Sequence, residues 1–103
     1  MANEDDALAI YSGPRRTYEI FRLVAVRPMS LLEILDAVPG DESFMRSIVD
    51  GMIADDLITS NDIGQFGLSL HGREIRATLD QLPQEAKTQA YKEAWGIAPE
   101  DGY

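Results

Sequence analysis

Apolar residues along this chain fall into five stretches of helical spacing and two short β-favouring runs, separated by proline, glycine and aspartate. Between Arg15 and Val26, Tyr18, Phe21 and Ala25 together with Ile20, Leu23 and Val24 form an apolar face wide enough for a well-buried helix. Gly13 or Ser12 is placed to cap it, Pro14 can open it without losing a needed N–H, and Pro28 marks its end. Ser30-Leu31-Leu32-Glu33 fits a capping box and predicts a short helix to about Val38, broken by Pro39 and Gly40. Asp41 caps the next helix, in which Met45, Ile48, Val49, Met52 and Ile53 form one stripe at the helical period.

After Asp55-Asp56 the pattern changes to period two: "LITS", turn chemistry in "NDIG", then "FGLSL" with alternating Phe66, Leu68 and Leu70 predict a hairpin of two strands. Ser69 or His71 opens a further helix with Ile75, Leu79 and Leu82 on one side, ended by Pro83. A last helix follows from about Gln84, with Lys87, Tyr91 and Trp95 at spacing four beside Ala86, Ala90 and Ala94. The expected fold class is mainly α with a small β-hairpin, plus a C-terminal helix. Residues 1–11 are expected to be a flexible acidic N-terminus, 12–82 the domain, 83–96 the C-terminal helix and 97–103 a tail.

Composition changes this picture chiefly through charge. Eighteen acids against nine bases leave a net charge of -9, which opposes approach to a phosphate backbone unless the bases gather on one face. There is no cysteine, so thiolate metal sites and cysteine nucleophiles are excluded. "MANEDDALAI" lacks the basic and apolar regions of a secretory signal, and no run has the length of a membrane span, so a cytoplasmic protein with no membrane partner is expected. Two lysines against seven arginines in an acid-rich chain resemble the proteins of extreme halophiles, although an acidic protein of any source reads the same way.

The element order and the segments "SLLEILDAVPGDESFMRSIVDGMIADDLITS" and "LSLHGREI" resemble the winged helix-turn-helix domain of MarR-like and related bacterial and archaeal transcriptional regulators. Ser69 stands at the place of that family's threonine cap and Gly72 at the place of its glycine. Two departures are visible. Asp56 occupies the usual glycine position before "LI", where the helix end needs a left-handed residue. The wing segment "SNDIGQFG" is short and carries no base.

The resemblance implies a function: a small DNA-binding transcriptional regulator with double-stranded DNA as partner. Its third helix would present Ser43, Arg46, Ser47 and Asp50 outward to base edges, while Gln65 and the arginines Arg73, Arg15 and Arg16 meet the backbone or the groove edge. The same outward face also reads as a merely solvated one. Tyr91, Trp95, Ala90 and Ala94 suit a helix–helix contact, either back onto the domain or between two copies as a homodimer. The alternative to DNA is a basic protein partner drawn to the acidic surface. No cofactor or metal is implied: Asp55-Asp56 point in different directions at a helix end, and His71, the lone histidine, reads as a cap or surface residue. Catalysis is not expected, since there is no nucleophile elbow and no phosphate-binding loop.

Overall fold

A computed structural model describes residues 3–97. Six helices and a small antiparallel sheet follow in the order α1 (Glu4–Tyr11), α2 (Arg15–Val26), β1 (Met29–Ser30), α3 (Leu31–Ala37), α4 (Glu42–Ala54), β2 (Ile58–Ser60), β3 (Gln65–Leu68), α5 (Leu70–Gln81) and α6 (Gln84–Trp95). About two thirds of the described residues are helical.

Local chemistry sets most of these boundaries. The Ser30 side chain accepts from the Glu33 amide at 3.2 Å while Glu33 Oε1 accepts from the Ser30 amide at 3.1 Å, which completes the capping box of α3. Asp41 Oδ1 accepts from the Phe44 amide at 2.7 Å and starts α4. Ser69 caps α5 by accepting from the Gly72 amide at 2.9 Å, and its own hydroxyl donates to the Asp56 carbonyl. Helix α4 ends in a closure of the Schellman kind, with the Leu57 amide donating to the Met52 carbonyl and the Asp56 amide to the Ile53 carbonyl. Asp56 takes the left-handed conformation there, φ 58°, as its place before "LI" suggested.

The sheet has one strand more than the two-strand hairpin read from the sequence. Strand β1 pairs with β3, Met29 opposite Phe66, and β3 pairs with β2, Ile58 opposite Leu68, giving the order β1-β3-β2. Two residues are too few to show a period, so β1 is specified by its partner: Pro28 ends α2, Ser30 caps α3, and the extended residues between them meet β3. The β2–β3 turn is held by Asn61, whose Oδ1 accepts from the Ile63 and Gln65 amides at 3.1 and 2.9 Å, with Gly64 at φ 79°.

The N-terminal segment contradicts the expectation of a flexible end. Asn3 caps α1, accepting from the Asp6 amide at 2.8 Å, and the acids Glu4, Asp5 and Asp6 occupy the first turn, where they favour the helix dipole. Ala7 and Tyr11 are fully buried, and α1 lies against α2, α5 and α6. A segment of two turns with Ala7 and Tyr11 buried and Ile10 half-buried on its inward face has a weak helical signature. Its order comes from the partners that cover those three residues.

Ile20, Phe21 and Val24 of α2, Ile34 of α3, Met45, Val49 and Met52 of α4, and Ile75 and Leu79 of α5 form one core with Leu57, Ile58 and Leu68 of the strand region. Gly72 marks the tightest joint in it. A Cβ at Gly72 would stand 2.1 Å from the Leu57 carbonyl oxygen, so only glycine lets α5 approach the end of α4 this closely.

Candidate functional site

Helix α4 separates its residues cleanly. Met45, Val49 and Met52 are buried, whereas Ser43, Arg46, Ser47 and Asp50 are exposed on the opposite side. One member of the expected inward stripe, Ile53, instead stays 41% exposed. The core position beyond Met52 is filled by Leu57 and Ile58, which the left-handed turn at Asp56 directs inward.

Charge on this face is mixed. Arg46 reaches Glu42 at 3.8 Å, with both side chains more than half exposed, so the pair is loose and screened by solvent. Asp41, Glu42, Asp50, Asp55 and Asp56 all stand exposed along or beside α4, and Asp62 is exposed in the hairpin turn. Gln65 lies half-buried on β3, and its Oε1 accepts from the Asn61 side chain at 3.2 Å, so it braces the turn. Arg73 is exposed on α5 and, among the described residues, forms no ion pair. His71 is half-buried beside it, and no group of three or more potential metal ligands is found among the described residues.

Two of the candidate backbone-contacting arginines are used inside the protein. The Arg15 guanidinium lies 4.8, 4.9 and 4.3 Å from the ring centres of Tyr11, Tyr18 and Tyr91, with its nitrogens buried among them. That corrects its assignment to DNA: a cation enclosed by three aromatic faces ties α1, α2 and α6 together and has no path to a phosphate. Arg16 Nη1 donates to both carboxylate oxygens of Glu19 at 3.0 Å, which neutralises much of its charge. Away from these, Arg27 pairs with Glu33 at 2.8 Å. The Glu33 carboxyl is held below the usual carboxylate range, first by the Ser30 amide and then by Arg27.

The C-terminal helix is likewise partly spent within the chain. Tyr91 is buried with its ring 6.3 Å from that of Tyr11, and Trp95 Nε1 donates to the Ser12 carbonyl at 2.5 Å. Gln84 Nε2 donates to the Tyr11 hydroxyl at 3.1 Å. The stripe at spacing four therefore packs back, chiefly onto α1, which removes Tyr91 from any contact between copies. Ala90 is half-buried, while Ala94 and much of Trp95 remain exposed.

One cluster has no counterpart in the sequence reading. A cleft of about 620 Å³ runs between α2, the end of α3, α5 and the start of α6, and brings Arg22, Arg76 and Lys87 over the apolar residues Phe21, Val38 and Leu79. These positions lie on three helices and just past the end of a fourth, so no spacing along the chain could reveal them. No helix of the described residues is long and apolar enough to cross a membrane. No protein-family model matches the chain, and neither a curated protein nor a solved structure does so.

Proposed function

We propose that the chain is a small winged helix-turn-helix domain that binds double-stranded DNA by laying the outward face of α4 in the major groove. The observation that carries this reading is the division of α4. Its apolar side is docked on the core while Ser43, Arg46 and Ser47 are exposed near its first two turns, where readers of this type contact base edges. Support also comes from the short strand β1 before α3, the tight turn into α4, and the β2–β3 hairpin closing on β1, since this layout puts a hairpin beside the exposed helix. Arg46 would read a guanine edge, Ser43 and Ser47 would position the helix on base or phosphate, and Arg73 would hold the backbone. Ala94 and the exposed part of Trp95 would meet a second copy, so that two α4 helices match two half-sites.

With Arg15 enclosed and Arg16 neutralised, few cations are left for phosphates, so affinity rests on base contacts more than on counterion release. An acidic reader of this kind loses less than a basic one in concentrated salt, where the screening length falls to about 3 Å. Selection from a random duplex pool at low and molar salt tests the proposal. Selective retention is expected, and it should be lost in Arg46→Ala, a change of about 1 to 3 kcal/mol.

The five exposed carboxylates around Arg46 favour a second reading, an acidic module that holds a basic protein partner. Absence of selective retention at every salt, together with capture of a lysine-rich peptide that Asp50→Asn weakens, would favour it over DNA.

A further inference from the structure

We propose that the cleft between α2, α5 and the start of α6 is a binding site for a small organic anion with a hydrocarbon body. Three of the nine basic side chains in a chain of net charge -9 converge on this cleft. One of them is tied down directly and the other two stand near aromatic rings. Arg76 Nη1 donates to the Ala25 carbonyl at 3.0 Å, which fixes it across the gap between α5 and α2. Lys87 lies 5.8 Å from the centre of the Tyr11 ring, and Arg22 lies 5.9 Å from that of Tyr18. Arg76, bonded across that gap, loses little further side-chain freedom when a ligand arrives.

The remaining lining suits the rest of such a molecule. Leu23, Ala25, Val26 and Ala37 give the accessible apolar lining over the buried Phe21, Val38 and Leu79, and a volume of about 620 Å³ is of the size that takes small ligands. Two carboxylates, Glu19 and Asp80, also border the cleft, but both oxygens of Glu19 already accept from Arg16 at 3.0 Å. The local balance is therefore positive against an otherwise acidic exterior, and the apolar wall strengthens the field of its cations. An anionic head on the arginines and lysine with a short chain against Leu23, Val26 and Ala37 satisfies both halves of the lining. The site shares no residue with the outward face of α4, so it stands whether or not that helix meets DNA.

Amide NMR titration of the protein with hexanoate, hexyl phosphate, hexan-1-ol and hexylammonium, at about 0.1 M salt where fixed charges still act over about 10 Å, tests this. At least one of the two anions should shift the amides of Arg22, Val38, Arg76, Leu79 and Lys87 and bind roughly tenfold more tightly than the alcohol, as one charge-assisted contact implies; the cation should not bind there. The variants Lys87→Gln and Arg22→Gln should each weaken the anion by about tenfold, whereas Lys92→Gln, which removes the same charge from the exposed side of α6, should not. Equal affinity for the alcohol and both anions, shifts centred elsewhere, or equal losses in Lys87→Gln and Lys92→Gln would overturn the proposal. Unchanged dispersion of the remaining amide signals shows that each variant is folded.

Discussion

At one end of the domain the Arg15 guanidinium sits within 4.9 Å of three tyrosine ring centres, with α1 and α6 closed over it. On the face of α4, Arg46 stands 60% exposed with Glu42 loosely beside it at 3.8 Å. The two residues have the same chemistry, and both occur in the first half of an amphipathic helix. What separates them is whether other elements bring aromatic surface to the guanidinium. Where they do, its charge is a means of packing; where they do not, it stays available to a partner.

The largest effect that would break this contrast is loss of the closed end. Tyr11 is fully buried, touches Tyr18 and Tyr91 edge-on and accepts from Gln84, so Tyr11→Ala should cost about 3 to 5 kcal/mol in urea unfolding. A loss below 1 kcal/mol would mean that α1 is an appendage. Next comes the joint between the two regions, where Gly72→Ala forces α5 away from the Leu57 carbonyl and should cost about 1 to 3 kcal/mol by the same measurement.

A smaller effect should appear in alkali. Burial raises the Tyr18 hydroxyl above the ordinary tyrosine range, with Arg22 and Arg15 acting against the rise and Tyr11 and Asp80 adding to it. The unfolded chain then releases this proton at lower pH than the folded one, so stability is unaffected below the ordinary tyrosine pKa and falls as pH climbs past it. Thermal unfolding followed between neutral pH and pH values above about 10 checks the sign. Smallest of all is the effect at the open face, where Arg46→Ala should change stability by no more than about 0.5 kcal/mol while still removing selective retention of DNA. A large stability loss there would erase the distinction between the two arginines.

Much of the local architecture was legible in the residues. Ser30 with Glu33, Asp41 and Ser69 begin helices because a side-chain oxygen three residues before a free amide acts over a single turn. The turn at Asn61 to Gln65 and the left-handed Asp56 are equally local. Strand β1 was not legible because two extended residues carry no periodic signal, and helix α1 because Ala7, Ile10 and Tyr11 cover barely one turn; they take their order from β3, α5 and α6. The candidate site divided in the same way. The outward face of α4 followed from its stripe, while the fates of Arg15 and Tyr91 depended on distant elements.

By itself, then, the sequence determined where α2 to α6 start and stop, which side of α4 is apolar, and the acidic balance of the whole, since all three depend on residues within a turn of one another or on a simple count. The tertiary structure decided which cations are enclosed and which gather in the cleft between α2, α5 and α6. The physical reason is range. A cap or a stripe is fixed by bonds and spacings along one segment, whereas the environment of a charge is the sum of everything that folding brings within a few ångströms of it.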